Sequence, residues 1–417
     1  MTSTTTVTLG STGSAPQGAS PIPRAQRSLA PDLARGAMLL FIALANVPIY
    51  LWGRPMDSLG YIADSTRLDQ VFLFLEQLLI ADRSRPMFAI LYGFGIAIMA
   101  SRMSARGMTA KGVRKVLRRR SLWLIALGVA HSTLLFFGDI LAAYGATGLI
   151  ALGLVHVPDR SLKKWFWASF AVVATLTTSL FAVMASGLID GLAATGDHYV
   201  AGDSYLEAIG FGAFTSTAQL VFSLVLLAFL PMVIGGIMLQ RAGWLTAPHE
   251  HLTGLRRVFV TGMAVNVASS LPLALASVGV WEPSAGVAIP VAYAAVLGGM
   301  YAGLGYICGF ALLAHRFAAR GRTGVLAMVA ALGERSLTGY LGQSLIMVPL
   351  LAPWGFNLAH GLGYAGAFGI ALGAWAVTVS VAVALDRAGK RGPFEAAMRR
   401  LTYGRATTSA TQERTTS

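Results

Sequence analysis

Long apolar runs, separated by short polar segments, make up most of the chain. About ten of these runs approach or exceed the roughly 20 residues that a helix needs to cross the hydrocarbon core of a bilayer. The pattern therefore predicts an all-α polytopic membrane protein, a bundle of about ten transmembrane helices. The predicted spans are 35–53, 86–104, 121–137, 139–157, 165–187, 213–240, 257–279, 288–313, 335–353 and 366–386.

One apolar stretch, 68–81, lies between the first two predicted spans and is too short to cross a bilayer. Its polar residues Asp69, Gln70, Glu76 and Gln77 recur at a seven-residue interval and therefore share one helical face. This pattern favours an amphipathic helix that lies in the outer interface. The alternative is a tilted half-span whose Glu76 is turned into the bundle.

The composition agrees with a chain whose solvent is mostly lipid. Of 417 residues, 55% are hydrophobic and 12% are charged, and the mean hydropathy is +0.64. In a soluble domain about a quarter of the residues are charged. These values exclude a soluble globular protein, and the length leaves no room for a separate soluble catalytic domain. We expect a single transmembrane domain over 31–404, between disordered cytoplasmic tails at 1–30 and 405–417.

The net charge is +14 at pH 7, and the basic residues gather in alternate loops. Such a bias places those loops in the cytoplasm, so topology explains the charge and nucleic-acid binding is not expected. The opposite loops at 188–210, 280–287 and 354–365 contain no Lys or Arg. Both termini are therefore predicted to be cytoplasmic, although the first outer loop, 54–85, carries four arginines against the rule. The single cysteine, Cys308, excludes an intrachain disulfide.

His131 is the only histidine that lies well inside a predicted span. A buried neutral imidazole can be a general base, or it can hydrogen-bond a neighbouring helix. Asp139 follows at a predicted outer turn, where an aspartate caps the next helix, yet it also lies within reach of a site centred on His131. Tyr144 lies one to two turns further along the same predicted span.

Arg35 and Asn46 form a polar stripe on one face of the first predicted helix. Eleven helical steps of about 100° bring Asn46 to within roughly 20° of Arg35, about 16 Å further along. The stripe can line a site, or Arg35 can snorkel to the cytoplasmic interface while Asn46 bonds a neighbouring helix. No metal site is predicted, because the polar residues of 197–207 match no ligand spacing.

Four stretches spread over 32–404 carry a family resemblance. They are Asp32-x-x-Arg35-Gly36 with Asn46, His131 with Gly138-Asp139-Ile140-Leu141 and Tyr144, the run 336–345, and the run 392–404. Together they resemble the YeiB-like family of bacterial membrane proteins, a family of unknown function (DUF418). The resemblance implies a multi-pass protein of the bacterial cell membrane.

That family is similar to a wider group of transmembrane acyltransferases, whose first helix carries an Arg-x10-His motif. Arg35 matches the arginine of the motif, and Asn46 stands in place of the histidine. The resemblance implies transfer of an acyl group from a cytoplasmic thioester, with acyl-CoA as donor, to a membrane or envelope acceptor. His131 would be the base and Asp139 its partner. We expect the substrate-binding residues to be Arg35, Asn46, Tyr144, Glu76, Tyr340 and Gln343.

Two other hypotheses use the same polar residues. The chain could be a transporter or exporter of a small or amphiphilic molecule, with these residues lining its pathway. It could also be a non-catalytic membrane protein. The sequence contains no convincing inverted repeat and no pair of broken helices, which weighs against the transporter.

Overall fold

The computed structural model describes residues 29–57, 59–185, 198–225, 228–318 and 323–403. Within those ranges the chain is helical, and its extended pairing is limited to two isolated β-bridges. The expected tails lie outside the described residues, apart from residues 29 and 30. The helices are α1 (Ala30–Asn46), α2 (Arg67–Leu79), α3 (Ser84–Ala105), α4 (Ala110–Leu134), α5 (Leu141–Ala151), α6 (Asp159–Ala185), α7 (Tyr205–Val225), α8 (Leu230–Arg241), α9 (Leu252–Ser277), α10 (Ala285–Arg316), α11 (Gly324–Glu334), α12 (Ser336–Leu351), α13 (Tyr364–Arg387) and α14 (Pro393–Tyr403).

Six segments of the described chain are long and apolar enough to cross a membrane, which indicates a multi-pass protein in a lipid bilayer. α6 shows this most clearly, because its most apolar window is only 11% buried. Trp165 and Trp167 on this helix are 52% and 65% exposed, an arrangement that lipid rather than water stabilises. The six segments are Ala30–Tyr50, Arg67–Ala105, Asp159–Val183, Leu252–Ser277, Gly286–Arg316 and Tyr364–Arg387.

The helices in the third and fourth predicted spans are shorter than a full crossing. Beyond Arg120, α4 continues for about 21 Å, and α5 is about 16 Å long, against a hydrocarbon core of roughly 30 Å. The predicted helix over 139–157 is therefore corrected to the 11 residues of α5. Every residue from Leu141 to Gly148 is buried in protein. Hydropathy cannot distinguish such burial from immersion in lipid.

Two other predicted spans also differ from the structure. The predicted single helix 213–240 is two helices, and Pro231 lies in the first turn of α8, where a proline begins a helix rather than continuing one. An apolar helix, α11, precedes α12 in what the pattern predicts as an inner loop. The two meet at Arg335, which is 4% exposed and donates to the Ala331 carbonyl and to Asp386.

α2 does not turn its polar face to water. Asp69, Leu73 and Glu76 are its buried residues, and it packs on α9 and α13. The apolar residues Leu68 and Val71 are exposed instead, by 59% and 55%. Glu76 is therefore turned into the bundle, as in the alternative, while the position of α2 in the outer interface stays a prediction.

α1 lies at the centre of the bundle and contacts α3, α10, α11, α12 and α13. Its close approach to α11 requires a glycine, because a Cβ at Gly36 would lie 1.9 Å from the carbonyl oxygen of Val329. This packing fixes the face of α1 that carries Arg35 and Asn46, and it places that face beside α12.

Candidate functional site

A histidine, a carboxylate and a tyrosine meet in the interior of the bundle. Nδ1 of His131 lies 2.8 Å from Oδ1 of Asp139, and the hydroxyl of Tyr340 donates to the same oxygen at 3.0 Å. All three side chains are buried, at 3% exposed or less. We call these three residues the histidine centre.

The chain reversal between α4 and α5 positions the histidine centre. His131 lies in the last turn of α4, and its carbonyl accepts the N–H groups of Leu135 and Phe136 as that helix ends. Oδ2 of Asp139 then accepts the N–H groups of Leu141 and Ala142 at the start of α5. Because free N–H groups at a helix start favour a carboxylate, the fold itself holds Asp139 beside His131.

The hydrogen bonds define the proton positions of the histidine centre. Oδ1 of Asp139 accepts from the Tyr340 hydroxyl, so the carboxylate acts as an acceptor and Nδ1 of His131 is the donor. In the neutral ring Nε2 then carries a lone pair. Among the described residues this buried atom has no hydrogen-bond partner. The arrangement matches the geometry of a histidine general base that is oriented by an aspartate.

A small cavity adjoins Tyr340 between α1 and α12. Its volume is about 10 Å³, which is close to the space of a single water molecule, and Asn46, Tyr50, Phe136 and Gln343 line it. Gln343 donates through Nε2 to the Leu39 carbonyl at 3.2 Å, while its Oε1 is buried without a partner among the described residues. Asn46 and Gln343 thus face one cavity, beside the histidine centre.

Arg35 lies in a second, larger cavity, about 450 Å³ in volume, which we call the arginine pocket. Arg35 pairs with Asp32 at 3.3 Å and also approaches the Leu91 carbonyl. Arg120, Arg391 and Arg399 line the same pocket, and α14 forms one of its walls.

Two helices connect the arginine pocket to the histidine centre. Leu337 lines the pocket and lies one turn before Tyr340 in α12. Phe88 also lines the pocket, and its ring stacks on that of Tyr144, with centroids 4.6 Å apart and planes at 8°. The hydroxyl of Tyr144 donates to the Arg85 carbonyl at 2.8 Å. Tyr144 therefore packs between the two parts of the site and holds α5 against α3.

Glu76 lies in a different part of the bundle, on the α2 face that packs on α9 and α13. The neighbouring Arg83 is 1% exposed and donates to Oδ1 of Asn266 at 2.6 Å, to the Ser270 hydroxyl and to the Ala81 carbonyl. These bonds close the C-terminal end of α2, so Arg83 is a structural cap.

No group of three or more His, Cys, Asp or Glu is placed to hold a metal ion in the part of the chain that the structure describes.

Comparison with known proteins gives a family match over the C-terminal part of the chain. Residues 239–405 match the model of a protein family of unknown function, DUF418. Over these residues the chain is similar to the DUF418 family. It is 22% identical over 338 residues to the uncharacterized protein YxaH of Bacillus subtilis, covering 76% of this chain and 78% of that protein. It is 30% identical over 145 residues to the uncharacterized protein YeiB of Escherichia coli, an alignment that covers 34% of each.

The matched DUF418 segment contains a junction that was not predicted as part of the site. Oε1 of Glu395 accepts the N–H groups of Leu337 and Thr338 at 2.7 and 3.0 Å, and Oε2 accepts the Thr338 hydroxyl at 2.5 Å. A Cβ at Gly392 would collide with both Glu395 and Thr338. The Gly392-Pro393-x-Glu395 run was a sequence signal for this junction, but nothing in it indicated α12 as the partner.

Proposed function

We propose that this protein is a membrane-embedded acyltransferase in which His131 is the general base. The observation that carries the proposal is the buried His131–Asp139 pair, with Nε2 of His131 as its open acceptor. Because an ionisable pair is costly inside a membrane, its presence there supports a functional role. The family resemblance adds the reaction class and acyl-CoA as donor.

In the proposed reaction Nε2 of His131 accepts the hydroxyl proton of the acceptor while the hydroxyl oxygen attacks the thioester carbonyl. A C–O bond forms and the C–S bond breaks. The leaving thiolate then takes the proton from the imidazolium, so that the base is restored. Asp139 holds the ring in the required tautomer and stabilises its charged form during the reaction.

The depth of His131 supports a reaction that joins the two sides of the membrane. In the predicted topology Arg118, Arg119 and Arg120 mark the cytoplasmic interface. His131 is eleven residues further along α4, about 16 Å deeper, near the middle of a core of roughly 30 Å. A donor entering from the cytoplasm and an acceptor in the membrane can both reach such a depth.

Stacked aromatic rings cover the other side of the histidine centre. The rings of Phe136 and Tyr50 stack with centroids 5.7 Å apart, and Tyr50 stacks on Tyr199 of the predicted outer loop at 6.3 Å. Burial raises the pKa of the Tyr199 phenol above its ordinary value, so this ring stays neutral. These rings exclude water from the base and lie where an acceptor from the outer side would enter.

Replacing His131 tests the proposal. A general base contributes typically about 10²–10⁴-fold in rate, so His131→Gln should lose at least about 100-fold of acyl transfer while the protein remains folded. The assay follows a labelled acyl group from acyl-CoA into bacterial envelope extracts, using the purified full chain in lipid nanodiscs.

His156→Gln is the matched control, because this histidine is exposed. It should retain wild-type transfer. Wild-type activity of His131→Gln would show that His131 is not the base. If the wild-type protein transfers no acyl group from any thioester, the acyltransferase proposal fails and the transporter hypothesis becomes the stronger one.

A further inference from the structure

We propose that the arginine pocket is a binding site for a phosphate-bearing ligand. Its volume of about 450 Å³ lies within the range of small-molecule sites. The inference concerns the chemistry of the ligand and holds without a catalytic role for His131. That this ligand is the acyl donor is a further step, which rests on the proposed function.

Three of the four arginines in the pocket are available for an anion. Arg120, Arg391 and Arg399 form no salt bridge with any described residue, whereas Arg35 pairs with Asp32. The guanidinium of Arg399 lies over the Tyr403 ring, 5.6 Å from its centroid, which holds it at the wall of the pocket. Guanidinium groups from α4, from α14 and from the segment before α14 can together match the several oxygens of a phosphate.

The acidic residues of the pocket have partners of their own. The carboxylate of Glu395 accepts two backbone N–H groups and one hydroxyl of α12. Glu334 lies 3.9 Å from Arg335, and Asp32 lies 3.3 Å from Arg35. Four arginines and three carboxylates line the pocket, so its net charge is positive.

A buried hydroxyl gives an independent indication of a ligand. Thr402 lines the pocket and is 3% exposed, and its Oγ1 has no hydrogen-bond partner among the described residues. Leaving a buried hydroxyl without a hydrogen-bond partner is unfavourable. A phosphate oxygen is an acceptor that this hydroxyl could donate to, beside Arg399 on the same helix.

Binding measurements on the full chain in phosphatidylcholine nanodiscs test this proposal. Adenosine 3′,5′-bisphosphate and inorganic pyrophosphate are the soluble probes, and phosphatidylglycerol added to the nanodisc is the lipid probe. Binding is measured by calorimetry and by the shift in melting temperature. A soluble probe that binds identifies a soluble phosphate compound as the ligand class, and stabilisation by phosphatidylglycerol alone identifies a lipid headgroup.

Variants locate the binding in the pocket. Arg399→Gln should weaken binding about tenfold or more, because a charge-assisted hydrogen bond is lost. Thr402→Val, which keeps the side-chain shape, should weaken it less. Arg400→Gln is the matched control, since Arg400 is an exposed neighbour that does not line the pocket. If Arg399→Gln does not fold, Arg391→Gln replaces it as the test variant, because Arg391 lines the same pocket and lies before α14.

The proposal is overturned if none of the probes binds, or if Arg399→Gln and Arg400→Gln weaken binding equally. The outcomes also separate this inference from the proposed function. Phosphate binding without acyl transfer would support the phosphate site and contradict the proposed acyltransferase function. Acyl transfer that depends on His131 but not on Arg399 would support the enzyme and would show that the ligand of the arginine pocket is not the acyl donor.

Discussion

Asp139 caps α5 and, in the proposed reaction, orients His131 with the same carboxylate. One oxygen accepts the N–H groups that begin α5, and the other accepts from His131 and from Tyr340. The sequence indicated the cap of α5 and the contact with His131, because these groups lie at most eight positions from Asp139. Tyr340 is 201 positions from Asp139, and no periodicity or spacing along the chain could pair them.

Replacing Asp139 by asparagine should separate the two roles. The single amide oxygen can still cap α5, as asparagine caps a helix as well as aspartate. The amide N–H₂ then faces Nδ1 of His131, so the ring proton moves to Nε2 and the base is lost. We expect acyl transfer to fall by about 10²–10⁴-fold while the melting temperature changes little.

The comparison variant is Asp139→Ala, which removes both roles and should also destabilise the protein by about 0.5–2 kcal/mol. Activity and thermal unfolding in detergent are measured side by side. An Asp139→Asn protein with wild-type transfer would mean that the carboxylate is only a helix cap.

Among the helices, α12 determines how the site is assembled, since it carries both Tyr340 and Gln343. Its first turn is held by Glu395 of α14, and Arg335 immediately before it binds the Lys390 carbonyl and Asp386. The start of α12 is therefore fixed by the end of the chain. The Gly392–Tyr403 segment does not contact the histidine centre, but it holds the start of α12 and thereby the position of Tyr340.

Glu395 is accordingly expected to be a positioning residue. Glu395→Ala should destabilise the protein by about 1 kcal/mol, as the loss of a helix cap does, and should lower acyl transfer through the displacement of Tyr340. Glu395→Gln keeps one acceptor oxygen and should restore part of both. Measurement of kcat and KM separately shows whether the chemical step is affected.

Glu282→Gln, at an exposed site, is the control for the loss of a carboxylate and should leave both quantities unchanged. If Glu395→Ala lowers the melting temperature but leaves kcat unchanged at a temperature where it is folded, α14 stabilises the fold without positioning the site.

The sequence predicted that the elements are helices and roughly where they lie. It did not predict their lengths, or which helices are surrounded by protein rather than by lipid. The apolar runs of α6, α9, α10 and α13 face lipid along much of their length, and there the predicted and observed elements agree closely. α5, α8 and α11 are equally apolar because other helices surround them. Hydropathy averages over the faces of a helix, so it gives the same signal for both environments.

At the scale of the whole molecule, α4 and α5 reverse direction inside the predicted depth of the membrane. Irregular backbone is tolerated at that depth only where protein or a cavity surrounds it. Here Phe136, Asp139 and Ile140 are buried, and the Tyr205 hydroxyl donates to the Leu134 carbonyl. The bundle thus supports a broken element at the place where the histidine centre is built, with the arginine pocket on one side and stacked aromatic rings on the other.

Cysteine labelling tests the membrane topology that this arrangement requires. The only native cysteine, Cys308, is completely buried, so each introduced cysteine can be followed alone. Ala63→Cys and Val200→Cys are expected on the outer face, and Ser104→Cys and Gly153→Cys in the cytoplasm. All four positions are exposed in the structure.

A maleimide that cannot cross membranes should therefore label the first two variants in intact cells and the other two only after permeabilisation, because the basic loops stay in the cytoplasm. Labelling of Gly153→Cys in intact cells would mean that α5 and the turns after it lead to the outer face, so that α4 and α5 together cross the bilayer once instead of returning to the cytoplasm. Protection of Ala63→Cys would mean that α2 crosses the bilayer with α3. In either case the basic loops would no longer share one face of the membrane. The side on which the arginine pocket opens would then have to be assigned again, because its Arg120 marks the predicted cytoplasmic interface.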